Sequence, residues 1–308
     1  MISLRNKFAD TIYELAKEDD RICVIVADIS PAGSIQKFRE EFPDRFINVG
    51  VSEQIMIGMA AGMAQRGMRV FCYTIATFAL YRPFEFIRND LAYQNLPVTV
   101  VGIGGGLTYS TLGATHHAME DIAVACAIPN MRVIAPCDPA ETEAATRWCA
   151  QNNEGPVYLR LGKAGEPDLT KHALPWKYGK LRTVEGRWIK GKRGVCVLAY
   201  GPMVGAALEM GRRSIEEPYS VVSVSTLKPL DVGGIVEILK TYDEVTVIEE
   251  MVQHGGLGDR VRAITSRLTV RPPITTMFLR DAFSHTYGTH EDLIESQLWT
   301  YSERGCNA

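Results

Sequence analysis

Glu53 is the residue whose position most suggests chemistry. It follows Ser52, and after Gln54 the residues 55–64 are all apolar or glycine. A helix that is apolar on every side is buried, and its small residues let neighbouring backbone approach closely. A carboxyl group at the mouth of such a helix loses water, which disfavours its charged form and lets it hold or share a proton near neutrality. Glu53 is therefore an acid–base candidate, although the helix dipole alone also favours an acid after an N-cap serine.

Three aromatic residues form a second feature. Phe78, Tyr81 and Phe84 recur every three residues, which is typical of a core stripe on a helix, but they can also provide an apolar wall for a planar ligand. Asp28 ends the apolar run 21–28, and open parallel sheets place ligands at the carboxyl ends of their strands. For Asp28 a simple strand-end cap is an equal alternative.

Composition narrows the class of protein. The chain has 308 residues, 46% of them hydrophobic and 22% charged, which is the balance of a globular protein of about two domains. A formal charge of -3 gives no reason to expect nucleic acid or a membrane surface as a partner. Seven scattered cysteines without C-x-x-C favour reduced thiols over a disulfide framework or a zinc site. With no apolar N-terminal leader, we expect a cytoplasmic protein.

The elements that must position these residues alternate between strand and helix. Apolar runs predict strands at 21–28, 68–75, 98–103, 131–136 and 156–161. Helical patterns between them predict an α/β fold with a parallel sheet covered on both faces. The segment 162–194 is rich in Gly, Pro and Lys, and a second alternating region follows it. We predict domains at 1–165 and 190–308, joined by a linker at 166–189.

Common cofactor motifs are missing from the chain. It lacks a P-loop, H-E-x-x-H, G-x-S-x-G and any G-x-G-x-x-G set between strand and helix. The glycines at 102, 104, 105 and 106 follow a strand but are not followed directly by a helical pattern, so a dinucleotide site is not expected. The dipeptide Asp-Gly occurs nowhere in the sequence.

Several ordered segments together resemble the C-terminal half of transketolases. They are ADIS (27–30), FINVGVSEQIMIGMAAGMAQRG (46–67), TFALYRPFEFIRNDLAYQNLPV (77–98), LGATHHAMEDIAVACAIPNMRVIAPCDPAET (112–142), GPVYLRLGK (155–163) and VIEEMVQHGGLGDRV (247–261). Transketolases contain three α/β modules, which bind the diphosphate of thiamine diphosphate, bind its pyrimidine, and form the C-terminal domain. The resemblance implies that this chain has only the second and third modules, both built on parallel sheets.

The resemblance implies a cofactor role for the first candidates. In transketolases the glutamate that matches Glu53 hydrogen-bonds the pyrimidine ring nitrogen opposite the exocyclic amine. Sharing a proton there favours the imino tautomer, whose nitrogen takes the proton from the thiazolium carbon C2. By the same resemblance Phe78 stacks on the pyrimidine, Tyr81 and Phe84 complete the apolar wall, and Asp28 lies beside the cofactor at the subunit interface.

His116, His117 and Lys163 are the substrate-binding candidates that the resemblance implies. His116 matches a family histidine that faces the substrate and exchanges protons with its hydroxyls, which also makes it a catalytic candidate. His117 stands where the family usually has glutamine. Lys163 stands where transketolases have an arginine for the substrate phosphate, and lysine holds a phosphate as a point charge without the bidentate fork. A solvated loop histidine and a solvated linker lysine remain alternatives.

The missing module implies a partner. In transketolases a Gly-Asp-Gly motif and a later asparagine hold the Mg²⁺ that binds the diphosphate, and a chain without Asp-Gly cannot supply that motif. We therefore predict the C-terminal subunit of a split transketolase, without metal ligands of its own, active with an N-terminal subunit in an assembly of two copies of each chain. Leu112 replaces an aspartate for donor hydroxyls and Gly104 stands near an expected histidine, so the sugar need not be an ordinary pentose or hexose phosphate.

Two other functions remain compatible with the sequence. The β subunit of a 2-oxoacid dehydrogenase also supplies a glutamate to the pyrimidine, although LGATHH and TFALYRPF fit it less well. A non-catalytic scaffold subunit would keep the fold without the chemistry, and the joint presence of Glu53, Phe78 and His116 argues against it. Ketol transfer from a ketose to an aldose is the leading prediction.

Overall fold

Two β-sheets organise the chain. The computed structural model describes residues 3–29, 34–163, 166, 168–169, 173–213, 217–269 and 271–302. Within those ranges, no helix is long and apolar enough to cross a lipid bilayer.

The first part of the chain alternates helices with strands. Its helices are α1 (Leu4–Glu18), α2 (Ser34–Glu41), α3 (Glu53–Gln65), α4 (Ala76–Leu80), α5 (Phe84–Phe86), α6 (Asp121–Ala127) and α7 (Pro139–Gln151), and a π-helical segment spans Ile87–Tyr93. Its strands are β1 (Ile22–Val26), β2 (Phe46–Asn48), β3 (Arg69–Ile75), β4 (Thr99–Ile103), β5 (Arg132–Ile134) and β6 (Val157–Leu161).

The second part repeats the alternation with different edges. Its strands are β7 (Arg182–Arg187), β8 (Val195–Ala199), β9 (Tyr219–Ser223), β10 (Thr226–Lys228), β11 (Glu244–Val252), β12 (Ile274–Leu279) and β13 (Leu298–Ser302). Its helices are α8 (Met203–Arg213), α9 (Val232–Thr241), α10 (Leu257–Thr265) and α11 (His290–Gln297).

The strands pair into sheets of seven and six. The first sheet has the order β10-β5-β6-β4-β3-β1-β2 and the second the order β13-β12-β11-β8-β9-β7. All pairs are parallel except β10 with β5, β12 with β13 and β7 with β9, which lie at sheet edges. Every side chain of β1, β4 and β6 is buried, as expected for strands covered by helices on both faces. The chain therefore has the predicted α/β class.

The boundary between the two sheets is less simple than the sequence pattern indicates. Strand β7 lies inside the predicted linker 166–189 yet pairs with β9 of the second sheet. Strand β10 comes from the second part of the chain but completes the first sheet. The apolar core on the α3 side of the first sheet also continues into the second sheet, through residues such as Tyr200 and Met251. The exact domain limits stay a prediction.

Helix α3 differs from its prediction. The sequence predicts burial on every side, but Ile55 is 58% and Met59 38% exposed, and Val51 just before the helix is 66% exposed. The opposite face, with Met56, Ile57 and Ala60, is buried. The prediction was wrong because all-round apolar composition does not tell which faces of a helix the rest of the chain covers.

Neighbouring strands of the first sheet deliver the candidate residues to one edge. Parallel strands β1, β3, β4 and β6 are adjacent, and their carboxyl ends meet at the same edge of the sheet. Asp28 follows β1, Phe78 follows β3, and Lys163 follows β6. The loop after β4 leads to His116. The fold itself thus gathers residues that are far apart in sequence.

Candidate active site

Glu53 is the first residue of α3, and its side chain is buried. Only 2% of the residue is exposed. Nη1 of Arg82 donates a hydrogen bond to its Oε1 at 2.8 Å, and the Arg82 side chain is 42% exposed. A buried carboxylate is therefore balanced by a cation that reaches it from solvent.

Phe78 lies beside this ion pair on α4. The guanidinium carbon Cζ of Arg82 is 3.9 Å from the centre of the Phe78 ring. A planar group with N–H donors thus rests on the aromatic face while it hydrogen-bonds Glu53. The arrangement shows that these two side chains can hold one flat, nitrogen-rich group together.

His116 extends the site away from Phe78. The two rings meet edge to face, with centroids 5.2 Å apart and an interplanar angle of 69°. Nδ1 of His116 is 3.0 Å from Oγ1 of Thr115. Burial, with a contribution from the Arg82 cation, lowers the pKa of His116 below its ordinary value. A neutral imidazole near pH 7 can both accept and donate a proton.

Tyr109 connects His116 to Lys163. Its ring centroid is 6.1 Å from that of His116, and Nζ of Lys163 lies 4.5 Å from the Tyr109 centroid. The contacts form a continuous row, which we call the site row: Glu53, Arg82, Phe78, His116, Tyr109 and Lys163. Four members were predicted from sequence, and Arg82 and Tyr109 were not.

The other candidates make different contacts. The Tyr81 hydroxyl donates to Oε2 of Glu120 at 2.9 Å, and burial raises the pKa of Tyr81. Phe84 is 36% exposed. The backbone N–H of Asp28 donates to Oδ1 of Asn48 at 3.2 Å, outside the site row. The cofactor roles of Tyr81, Phe84 and Asp28 stay predictions for a cofactor-bound assembly.

His117 is buried within its loop. It is 4% exposed, and burial lowers its pKa, although the backbone of Tyr109 and Ser110 acts in the opposite direction. The ring of His117 is thus enclosed, whereas the ring of His116 meets Phe78. The substrate role of His117 stays a prediction.

Gly104 has a steric reason to be glycine. Its φ is +72°, and a Cβ on it would lie 2.2 Å from Cε2 of Tyr109. A histidine at or near this position would have to displace the Tyr109 ring. Leu112, the other departure, is 47% exposed. Tyr109 and Leu112 thus present an aromatic and an aliphatic side chain in the segment that leads to His116.

Comparison with known proteins identifies the family. The family model described as "Transketolase, pyrimidine binding domain" matches residues 1–165, and "Transketolase, C-terminal domain" matches residues 183–297. The chain belongs to the transketolase family.

Individual relatives are similar over most of their length. An apulose-4-phosphate transketolase subunit of Phocaeicola vulgatus is 33% identical over 84% of this chain and 82% of its own. A putative transketolase C-terminal section of Methanocaldococcus jannaschii is 34% identical over 95% of this chain and 90% of its own. A solved structure titled "Split gene transketolase, inactive beta4 tetramer" superposes with a TM-score of 0.84 at 32% identity, covering 96% of this chain and 94% of that one.

The residues of this chain fit one end of thiamine diphosphate. Glu53 and Phe78 already hold a planar, nitrogen-bearing group between a hydrogen bond and an aromatic face, and a pyrimidine ring is also planar and nitrogen-bearing. For the metal, no group of three or more His, Cys, Asp or Glu side chains in the described ranges is arranged to bind an ion. The site is thus suited to the pyrimidine end of the cofactor.

Proposed function

We propose that this chain is the C-terminal subunit of a thiamine-diphosphate-dependent split transketolase. It transfers a two-carbon ketol unit from a ketose to an aldose acceptor together with a separate N-terminal subunit, in an assembly with two copies of each chain. The observation that carries the proposal is the site row, in which Glu53, Phe78 and His116 lie in one continuous set of contacts. The family assignment favours this function over a 2-oxoacid dehydrogenase β subunit.

Thiamine diphosphate, when bound, supplies the carbanion chemistry of ketol transfer. Glu53 and Phe78 would hold its pyrimidine, with Tyr81, Phe84 and Asp28 around it. The N-terminal subunit would supply the Gly-Asp-Gly and asparagine ligands for Mg²⁺ and the diphosphate, which the absence of Asp-Gly from this sequence supports. A cofactor held between two chains makes association a condition of activity.

Four residues of the site row have a defined task in this proposal. Glu53 would hydrogen-bond a ring nitrogen of the cofactor, because its carboxyl group is buried at the start of α3. Phe78 provides a flat apolar face. His116 exchanges protons with the substrate hydroxyls, since its lowered pKa keeps the imidazole neutral near pH 7. Lys163 holds the substrate phosphate as a point charge, and His117 lines the same loop as His116.

The exposed face of α3 supports a subunit contact at this site. Val51, Ile55 and Met59 form an exposed apolar stripe beside Glu53. A Cβ on Gly62 of the same helix would meet nothing within 4 Å, so the helix backbone is open to close approach. The related solved structure is titled a tetramer of β chains, which supports self-association of such chains.

The proposed substrates are sugars or sugar phosphates, and the assay over a panel of sugars is designed to identify the donor. Tyr109 and Leu112 favour a donor with fewer hydroxyls to bind at these positions than ordinary ketose phosphates present. One relative is named for apulose-4-phosphate, so branched sugars belong in the panel with modified and sulfonated ones. A cytoplasmic location completes the proposal, because the six described cysteines are free thiols.

The test is reconstitution with candidate N-terminal subunits. Thiamine diphosphate and Mg²⁺ are titrated calorimetrically into this chain alone and into each mixture, and ketol transfer is assayed over the sugar panel. We expect cofactor binding and transfer only in a mixture, with transfer lost in Glu53→Gln. Tight binding to the isolated chain, or undiminished transfer in Glu53→Gln, would overturn the proposal. A mixture that binds cofactor but transfers nothing would favour the scaffold function.

A further inference from the structure

The loop that carries His116 is closed at its base by two backbone hydrogen bonds. We call residues 104–119 the His116 loop. The N–H of Gly106 donates to the carbonyl of Ala118 at 3.0 Å, and the N–H of Ala118 donates back to the carbonyl of Gly106 at 2.8 Å. His116 lies two residues before this closure, so whatever fixes the base of the loop also fixes the histidine.

The second domain contacts both strands of that base. Oε1 of Glu250, on β11, accepts a hydrogen bond from the N–H of Leu107 at 2.6 Å. Two residues further along β11, the N–H of Val252 donates to the carbonyl of Met119 at 3.0 Å. The side chains of Leu107 and Met119 pack in one apolar cluster with Val252, Leu279 and Leu293 of the second domain.

Glu250 is buried and pairs with His290. It is fully buried, and Nε2 of His290 lies 2.6 Å from the same Oε1 that accepts from Leu107. Burial alone would raise the pKa of Glu250, but His290, Arg160 and the Leu107 amide hold it below its ordinary value. Burial opposes charge on His290 as well, yet the Glu250 carboxylate raises the pKa of His290 overall. Both shifts favour the ionised form of the pair, and charged acceptors make the stronger hydrogen bonds.

The fit between the loop and Glu250 leaves no spare room. A Cβ on Gly106, whose φ is +64°, would lie 2.3 Å from Cδ of Glu250. Any larger residue at 106 would push the carboxylate away from the Leu107 amide. The steric contact at Gly106, the hydrogen bond at Leu107 and the apolar cluster around Leu107 therefore all fix the base of the His116 loop against the second domain.

We propose that Glu250, supported by His290, is a positioning residue for His116, so that the second domain sets the geometry of the substrate-facing loop. The proposal rests on the proposed function for the role of His116. Glu250 and His290 act through the backbone at Leu107 and not through a side chain of the site row. A displacement of the reacting groups by about 1 Å can cost about a hundredfold in rate.

The pair also gives the loop a pH dependence. Titratable and charged groups that face the Glu250–His290 pair come from several elements: Arg160 of β6, Glu166 of the connecting segment and His117 of the His116 loop. As the pH rises through the raised pKa of His290, the imidazolium is lost and Glu250 keeps a buried charge that is less well compensated. The hydrogen bond from the Leu107 N–H to Glu250 is then less well supported. The turnover of the complex should therefore fall as the pH rises above the pKa of His290.

The test uses the reconstituted complex and the variants Glu250→Gln, His290→Gln and Gly106→Ala, with Glu291→Gln as the matched control on the exposed neighbour of His290. We expect kcat to fall roughly ten- to a hundredfold in the first three, with the cofactor dissociation constant within about twofold of wild type. The alkaline decline should disappear in His290→Gln. The control should keep wild-type kcat.

A second readout needs no activity. The chain has six histidines, so the ring resonances of His116 can be followed by NMR in the isolated chain and assigned with His116→Gln. Glu250→Gln and His290→Gln should shift the His116 resonances, and Glu291→Gln should not. If Glu250→Gln does not fold, His290→Gln carries the test, because its side chain is 29% exposed. Folded variants with unchanged His116 resonances would overturn the proposal. A wild-type complex without ketol transfer would instead overturn the proposed function.

Discussion

The ion pair of Glu53 with Arg82 gives the sharpest prediction for the isolated chain. Its N–O distance is 2.8 Å, and the side chains are 3% exposed at Glu53 and 42% at Arg82. Exposed pairs contribute about 0.2–1 kcal/mol, whereas removing one partner of a buried pair costs about 3–5 kcal/mol. Because only the carboxylate is buried, we expect Arg82→Met to lower the free energy of unfolding by about 2 kcal/mol.

The experiment is a double-mutant cycle measured by thermal and denaturant unfolding. Arg82→Met keeps an apolar stem over Phe78, and Glu53→Gln keeps the shape of the side chain while it removes the charge. A loss of about 2 kcal/mol corresponds to a fall in Tm of about 4–8 °C for a domain of this size. The coupling energy between the two sites should be about 1 kcal/mol.

A matched control distinguishes the loss of the Glu53–Arg82 ion pair from the loss of any exposed positive charge. Arg88 lies six residues after Arg82 in the π-helical segment Ile87–Tyr93. It is exposed, and its Nη1 donates a hydrogen bond to Oδ1 of Asn89. Arg88→Met should change stability by less than about 0.5 kcal/mol. Additive effects of Arg82→Met and Glu53→Gln, within about 0.3 kcal/mol, would refute the reasoning that Arg82 compensates a buried charge on Glu53.

Three further predictions concern the cofactor, the substrate and pH. Phe78→Ala should weaken cofactor binding in the complex about tenfold through lost stacking, measured by calorimetry, while Phe78→Tyr should not. Lys163→Ala should raise KM for phosphorylated acceptors but not for unphosphorylated ones, and equal effects on both would contradict its role. Burial, opposed by hydrogen bonds from Gly258 and Leu257, raises the pKa of Glu249 to about 7. Because that pKa lies above the unfolded value, the stabilisation is present below about pH 4 and is lost as the pH rises towards 7, so Glu249→Gln should remove up to about 3 kcal/mol of this pH dependence in denaturant unfolding.

The strands and the buried glutamate could be predicted from the sequence because those signals are local. Short β-branched runs such as 98–103 can bury both faces only in a covered sheet, and β4 lies there at Thr99–Ile103. Glu53 was expected at a desolvated helix start, and it is the first residue of α3 at 2% exposure. The motif resemblance then placed Phe78, His116 and Lys163 in one site, and they lie in one row of contacts.

The parts that were missed depend on contacts between distant segments. Arg82 belongs to the site because its side chain reaches across 29 residues of sequence to Glu53, and nothing in the local pattern fixes that direction. Tyr109 enters the row because Gly104 has no Cβ, which leaves room for the ring. The exposed stripe on α3 was predicted to be buried, because apolar composition alone does not tell which faces of a helix the rest of the chain covers.

In the proposed assembly Glu53 serves one end of the cofactor, and a different chain holds the other end. A structure of this chain with its N-terminal subunit, thiamine diphosphate and Mg²⁺ tests this arrangement. We expect the Glu53 carboxyl group within hydrogen-bonding distance of the pyrimidine ring nitrogen, Phe78 against the ring, and every protein ligand of Mg²⁺ on the partner. A cofactor bound elsewhere, or a metal ligand contributed by this chain, would contradict it.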